Sequence, residues 1–236
     1  MDRTRNQMDG AEASSEAGLQ RAATPASPVA VLEPWIRSRL YPIESYDPGA
    51  RPRAVDELNG ADTQWPFPPG PLRPAAVLAP LIERENGLTV LLTRRSDALK
   101  RHSGQIALPG GRSEPGETPW QTALREAQEE VGLDPSFVRI AGLGDTYEIG
   151  TGFAVTLVVA FVSPGFTLTP DPGEVAEVFE TPFQHLMDPE NHQRHVRDFG
   201  DGRTRRFYAI PHEERVIWGA TAWMLRGLYT RLFGAP

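Results

Sequence analysis

The segment from Gly111 to Leu133 constrains the fold of this chain more than any other stretch. It reads GRSEPGETPWQTALREAQEEVGL. Thr118 can cap a helix, Pro119 suits the first helical position, and apolar side chains then recur three and four residues apart. Gly132 can adopt the left-handed conformation that ends a helix. The sequence therefore predicts a helix over Pro119–Val131, with one apolar face against a core.

Another face of this helix carries acidic side chains. Because positions three and four apart share a helix face, Glu126, Glu129 and Glu130 are expected to converge. Such hard oxygen donors suit Mg2+ or Mn2+ better than zinc or copper. Arg125 lies one turn before Glu129, and Glu117, at the helix entrance, can reach back to hold that arginine. Taken alone, the cluster is also compatible with an ordinary solvated helix stabilised by charge pairs.

The residues just before this segment form a second feature. Pro109-Gly110-Gly111 predicts a tight turn in which a backbone carbonyl can approach a metal with no side chain in the way. Gly111 is the carbonyl that we favour for this role. A plain turn without a metal is the alternative interpretation.

The whole segment matches the pattern G-x5-E-x7-R-E-U-x-E-E-x-G-U, where U is apolar, and it therefore resembles the Nudix hydrolases. The resemblance implies an α/β fold, namely the Nudix α/β/α sandwich with a mixed β-sheet between helices. It implies an enzyme that cleaves diphosphate linkages with Mg2+ or Mn2+. The metal ligands that it implies are the Gly111 carbonyl, Glu126, Glu129 and Glu130.

A metal is needed because both the diphosphate and the carboxylate face are anionic, and bound cations reverse the sign of the site. They also lower the pKa of a bound water and stabilise the leaving phosphate, so we expect hydrolysis rather than transfer. The expected catalytic residues are Glu129, Arg125 and Glu126, with Glu129 as the candidate general base. The alternative bases are Glu174, Glu177 and Glu213.

Upstream, the stretch Leu91–Gly111 reads LLTRRSDALKRHSGQIALPGG. It is similar to the pattern LLTxRSxxLRxHxGQxxxPGG of the coenzyme A diphosphatase branch of the family. Lys100 replaces the usual arginine, and Leu157 stands where a proline is expected. Together with Tyr147–Phe161 and Trp218–Ala222, the resemblance extends from Ala75 to Leu232. It implies cleavage of coenzyme A into 4'-phosphopantetheine and adenosine 3',5'-bisphosphate.

Coenzyme A carries a diphosphate and a separate ribose phosphate, and the chain offers a basic patch that could meet both. The patch consists of Arg94, Arg95, Lys100, Arg101 and His102. Arg95 and His102 are the first choices for ligand contact or for bracing the loop, and Gln105 can tie the loop through its amide. The expected substrate-binding residues are Arg94, Arg95, His102 and Gln105.

Two other functions stay open. The first is a Nudix hydrolase for ADP-ribose, NADH or nucleoside triphosphates. ADP-ribose hydrolases of the family usually carry a proline about sixteen residues beyond the segment described above, and Ser136 to Ser163 contains none. The second is a non-catalytic nucleotide-binding Nudix domain, a state that accompanies loss of the acidic ligands, whereas all three glutamates are present here.

The remaining sequence suggests three regions. Residues 1–30 are small, polar and expected to be disordered, and 31–74 form a proline-rich arm that begins with a helix over Val31–Leu40. Residues 75–236 form the Nudix domain, with a final helix over Val216–Leu232 and an ambiguous stretch over Val175–Leu186. The expected strands are Ala75–Ile82, Leu88–Thr93, Phe137–Leu143, Phe153–Val162 and Phe207–Ile210, the first two joined as a hairpin by Glu83 to Gly87.

Composition limits the partners. A net charge of -7 argues against general affinity for nucleic acid or for an anionic membrane. The chain has no cysteine and no apolar stretch of the roughly 20 residues that a membrane helix needs, and its first residues do not read as a signal peptide. We expect a cytoplasmic enzyme with a small-molecule nucleotide partner, and a homodimer stays open.

Overall fold

The computed structural model describes residues 28–49, 70–98, 104–198 and 204–234. The expectations for residues 1–27 and 50–69 lie outside these ranges, and so do those for Lys100, Arg101 and His102. No helix among the described residues is long and apolar enough to cross a membrane.

A mixed β-sheet forms the centre of the described structure. Its strands are β1 (Arg73–Arg84), β2 (Gly87–Arg95), β3 (Ile106–Ala107), β4 (Gly110–Arg112), β5 (Val138–Ile149), β6 (Phe153–Val162) and β7 (Val175–Pro182). The main path runs β3-β2-β1-β6-β5, with β4 also paired to β1 and β7 to β2. Strands β1 and β6 are parallel along their length, and the other pairs are antiparallel.

The pairing of β1 explains why the sheet is open at one place. One edge of β1 pairs with β6 from Arg73 to Ile82. On the other edge, β2 pairs only with Leu81–Arg84, whereas β4 pairs with Ala75–Val77. The strand β2 therefore diverges from β1 beyond the hairpin, and the glycines of β4 fill the space beside the start of β1.

Alternation along β1 directs its side chains to two cores. Ala75, Ala79 and Leu81 belong to one core, which also contains α1 (Pro28–Arg37), α3 (Phe183–Leu186) and α4 (Ala220–Phe233). Ala76, Leu78 and Ile82 belong to the other, where α2 (Pro119–Val131) packs. Helices thus cover both faces of a mixed sheet, and the expected α/β/α sandwich is confirmed.

A smaller antiparallel sheet follows, made of β8 (Gln193–Asp198), β9 (Thr204–His212) and β10 (Arg215–Trp218). One of its faces joins the core around α4 through Tyr208, Ile210 and Ile217. Its other face carries Phe207 and Trp218, because alternate residues of a strand point to opposite sides.

Several predicted elements are confirmed. The helix spans Pro119–Val131, Gln121 accepts a hydrogen bond from the backbone N–H of Thr118, and Gly132 ends the helix at a φ of 69°. The strand Phe153–Val162 and the hairpin of β1 and β2 are also observed. The strand expected from Phe137 is longer than predicted, and the N-terminal helix lies three residues earlier than predicted.

The predicted start of the last helix is wrong. Arg215–Trp218 forms a strand, in which Ile217 pairs with Ile210, and the helix begins only at Ala220. Gly219, at a φ of 67°, separates the two elements. Val216, Ile217 and Trp218 favour extended structure, and helical spacing alone concealed that preference. The ambiguous stretch from Val175 resolves into β7 followed by the short helix α3.

Candidate active site

The three glutamates of α2 lie in different environments. The Glu130 side chain is 4% exposed, that of Glu126 is 16% exposed and that of Glu129 is 59% exposed. The difference follows from the helix, since Ala127 and Val131 beside Glu130 are buried against the sheet. The glutamates therefore form a gradient from the core to solvent rather than one equivalent set.

Glu130 is a buried carboxylate beside two positive partners. It accepts a hydrogen bond of 3.1 Å from the N–H of Gly110, and its other oxygen lies 3.6 Å from Nη1 of Arg95. Burial raises the pKa of Glu130 to about 7, although both of these contacts act in the opposite direction. Burial likewise raises the pKa of Glu126, against the effect of Arg125. Burial thus disfavours the ionised form of both carboxyl groups.

Arg125 connects the start of the helix to its acidic face. It donates to both oxygens of Glu117 at 2.8 and 3.0 Å, and to Glu126 and Glu129 at 2.9 Å each. It also donates to the carbonyl of Arg112 at 3.0 Å. Hydrogen bonds from Arg125 lower the pKa of Glu117 to about 2. The expected contact between Glu117 and Arg125 is therefore observed, and it fixes the guanidinium at the entrance to the site.

Two consecutive glycines bring the backbone of β4 against the glutamates. Gly111 pairs with Ala76, and a Cβ atom placed on Gly111 would lie 2.5 Å from a carboxylate oxygen of Glu126. Gly110 has a φ of +154°, and a Cβ there would collide with the carbonyl oxygen of Ala76. Neither position accepts a side chain without rearrangement, so Glu126 can lie directly against the main chain.

The donors at this place fit a hard divalent cation. They are carboxylate and carbonyl oxygens, and a bound cation would favour the ionised forms of Glu126 and Glu130, whose pKa burial raises. Within the described ranges, no three His, Asp or Glu side chains already converge as a complete metal cluster. The fit consequently rests on donor chemistry and on the glycine cradle.

The expected substrate-binding residues separate into three groups. Arg95 and Gln105 line a cavity that also reaches Gly110 and Gly111. Arg94 points elsewhere: it is 3.1 Å from Asp97 and 3.7 Å from Glu177. His102 lies outside the described residues.

The alternative general bases lie in two different places. Glu174 raises the pKa of both Glu126 and Glu130 by its charge, which places it near the acidic face. Glu177 forms an ion pair with Arg215, which also pairs with Glu213 at 2.9 Å. Glu177 and Glu213 are thus engaged in a charge cluster, whereas Glu174 lies near the glutamates of α2.

The cavity has a volume of about 530 Å³ and two chemically different sets of lining residues. Arg95, Gln105 and the backbone of β4 form a polar end. We call the part of the cavity lined by Ile149, Phe153, Phe207, Trp218 and Met224 its apolar end. Sequence reasoning missed this apolar end, because it assigned Trp218 to a helix and Phe207 to an isolated strand. The short runs of aromatic and β-branched residues in β9 and β10 were the available signal.

Several known proteins are similar to this chain in sequence. Residues 72–199 match the NUDIX domain family. A protein named uncharacterized Nudix hydrolase NudL from Photorhabdus laumondii is 37% identical over 179 residues, which cover 73% of this chain and 94% of the relative. The NudL protein of Yersinia enterocolitica is 39% identical over 155 residues, covering 65% and 78%. A solved Nudix hydrolase from M. smegmatis, RenU, aligns with a TM-score of 0.44 and 28% identity over 49% of this chain and 74% of that structure.

Proposed function

This chain belongs to the Nudix hydrolase family, whose members act on diphosphate linkages of nucleoside derivatives with divalent metal ions, and we propose that its substrate is coenzyme A or a close derivative. The observation that supports this choice is the position of Arg95 and Gln105. Both belong to the stretch that resembles the coenzyme A branch, and both line the cavity that reaches Gly110 and Gly111. A diphosphate in the polar end of this cavity would lie beside the acidic face of α2.

We propose that Mg2+ or Mn2+ is held by the carbonyl of Gly111 and by Glu126, Glu129 and Glu130. The bound cation would supply charge neutralisation and activation of water for attack on phosphorus. The protein contributes the positions of the ligands. Arg125 holds the carboxylates of Glu126 and Glu129 in place, and the Gly110 N–H fixes one oxygen of Glu130.

In this proposal, Arg95 binds the diphosphate of the substrate. Its guanidinium lies 3.6 Å from Glu130 and lines the cavity, so it can balance the charge of the buried carboxylate and attract an anionic substrate to the same place. Arginine suits both tasks, because its planar group can donate to two acceptors at once. Arg94 is the natural comparison, since it is adjacent in sequence but paired with Asp97 outside the cavity.

Glu129 remains our candidate for the general base. It is the most exposed of the three glutamates, and its link to Arg125 keeps it at the rim of the site, where a water molecule is accessible. Glu174 is the main alternative, because it lies near the same carboxylates.

The test is a product analysis with coenzyme A, dephospho-coenzyme A, ADP-ribose and NADH, each with Mg2+, Mn2+ or EDTA. We expect 4'-phosphopantetheine and adenosine 3',5'-bisphosphate from coenzyme A, at the highest kcat/KM of the panel, and no turnover in EDTA. Arg95→Ala should lower kcat/KM about ten- to a hundredfold, since a charge-assisted contact is lost. Arg94→Ala should have a much smaller effect. Equal kcat/KM for ADP-ribose and coenzyme A, or equal effects of the two arginine variants, would contradict the proposal.

A further inference from the structure

The apolar end of the cavity is walled by one face of the small sheet. Trp218 pairs with Ala209, and Phe207 lies two residues from Ala209 on the same strand, so both rings project from the same face. Their ring centroids are 5.9 Å apart at an interplanar angle of 63°. Ile210 and Ile217, on the opposite face of this sheet, are buried in the core, whereas Phe207 and Trp218 belong to neither core cluster. The aromatic pair is therefore not needed to complete the core.

Trp218 is unusually accessible for a side chain of its size. It is 41% exposed while lining the cavity, and Phe207 is partly exposed beside it. His195 stacks on Phe207 with centroids 5.6 Å apart and an angle of 20°, which restrains that ring. An accessible, oriented pair of rings at a cavity wall is a common feature of sites that bind flat ligands.

A cation completes this end of the cavity. Arg197 lines it, on the same face of the sheet as His195, since the two residues are two apart on β8. A flat aromatic surface beside an arginine can bind a base by stacking and a phosphate by charge. At about 530 Å³, the cavity exceeds the space that a diphosphate alone requires and lies within the usual range for small-molecule sites.

We propose that Trp218 and Phe207 form a stacking platform for the purine base of the substrate, with Arg197 beside it to receive a phosphate on the ribose. This inference rests on the proposed function, because it assigns the nucleotide half of the substrate to the apolar end. The amide-containing pantetheine arm fits less well there. It carries no flat ring to stack on Trp218 or Phe207, whereas a purine does.

The experiment measures binding rather than turnover. Adenosine 3',5'-bisphosphate and 4'-phosphopantetheine are titrated separately by calorimetry, in the presence of Mg2+, into wild-type protein, Trp218→Leu, Trp218→Phe and Val216→Ala. Val216 is the matched control: it is 49% exposed on the same face of β10 and does not line the cavity. Because Trp218 is partly exposed on a surface sheet, we expect all variants to fold, and circular dichroism melts check this.

We expect Trp218→Leu to raise the Kd of adenosine 3',5'-bisphosphate at least about fivefold, the lower end of what loss of one base stack costs. Trp218→Phe should retain most of the affinity, Val216→Ala all of it, and the Kd of 4'-phosphopantetheine should not change. A selective loss of 4'-phosphopantetheine binding in Trp218→Leu would overturn the proposal and place the arm at this end. Unchanged binding in that variant would overturn it as well.

The two proposals can fail separately. If coenzyme A is cleaved and Trp218→Leu binds both products normally, the stacking platform is wrong and the substrate assignment stands. If another adenine nucleotide is the preferred substrate and Trp218→Leu still raises the Kd of adenosine 3',5'-bisphosphate or of ADP, the platform stands and coenzyme A does not. A wild-type protein that binds neither of these nucleotides would refute the platform.

Discussion

Replacement of Glu117 by glutamine tests how the charge network of the site stabilises the fold. Glu117 accepts two hydrogen bonds from Arg125, at 2.8 and 3.0 Å, and one from the hydroxyl of Thr122 at 2.9 Å. Glutamine keeps the size of the side chain but removes its charge. Arg125 would then share its charge only with Glu126 and Glu129, so we also expect more metal to be needed for half-maximal activity.

The magnitude follows from the pKa of Glu117. A fall from an ordinary value of 4.5 to about 2 sets an upper bound of about 3 kcal/mol on the contribution of the ionised side chain. The pair is partly exposed, and solvent screening reduces the expected loss to about 1–2 kcal/mol. For a chain of this size, that corresponds to a fall in Tm of about 2–8 °C.

The pH dependence has a definite sign. The folded-state pKa of Glu117 is lowered, so its contribution is fully present above the unfolded-state pKa near 4.5 and is lost as the pH falls toward about 2. The difference in stability between the wild type and Glu117→Gln should therefore be constant from pH 8 to 6 and shrink below about pH 4.5.

Denaturant unfolding at a series of pH values measures this difference. Glu114→Gln is the matched control, because Glu114 is exposed in the same turn and hydrogen-bonds to Glu117 through its backbone. This control should change stability by less than about 0.5 kcal/mol. The reasoning is refuted if Glu117→Gln is as stable as the wild type at pH 7, or if the stability difference grows as the pH falls.

Two further substitutions test the catalytic assignments. Gly111→Ala should force the Glu126 carboxylate away, since the new Cβ would lie 2.5 Å from it, and should cut kcat about a hundredfold in a folded protein. The control is Gly116→Ala, where nothing lies within 4 Å of the new Cβ. This control should leave kcat unchanged and cause only a small loss of stability, because Gly116 has a positive φ. Glu129→Gln should lower kcat by about 10²- to 10⁴-fold if Glu129 is the general base. Steady-state rates should show a larger loss of kcat in this variant than in Glu174→Gln. The reverse order would assign the general base to Glu174.

Much of the central fold could be predicted from local signals. The helix of the acidic segment has a capping residue, a proline at its first position and a terminating glycine, and it is observed with the predicted bounds. The strand Phe153–Val162 is equally regular, because it is buried on both faces and reads as a continuous apolar run. Where such signals agree with the tertiary structure, sequence reasoning succeeds.

The small sheet shows where this reasoning stops. Residues of β8 are exposed throughout, so the strand carries no apolar alternation to predict it. In β10, Ile217 is buried because the strand pairs with β9. The spacing of apolar residues within β10 alone does not predict this contact with another strand. The apolar end of the cavity depends on both strands, and for that reason Phe207 and Trp218 were not predicted as site residues.

The unequal burial of the glutamates could not be predicted either, and it changes how the site is understood. Helical spacing places Glu126, Glu129 and Glu130 on one face, but it does not say which of them meets the sheet. Glu130 is buried because the helix packs on the sheet through the turn that carries it, and its raised pKa follows from that packing.

The stretch Leu91–Gly111 and the acidic segment Gly111–Leu133 contribute to one site because β2 diverges from β1. Arg95 ends β2, and Glu130 lies on α2, so the chain between them contains the turn before the acidic segment and most of that segment. The same divergence opens the edge of β1 to the glycines of β4, which bring Gly110 to within 3.1 Å of Glu130. A substitution that closes this gap would therefore separate Arg95 from the acidic face while leaving both motifs intact in sequence. The proposed coenzyme A selectivity and the proposed metal binding would thus both depend on one feature of the sheet, which neither stretch of sequence contains by itself.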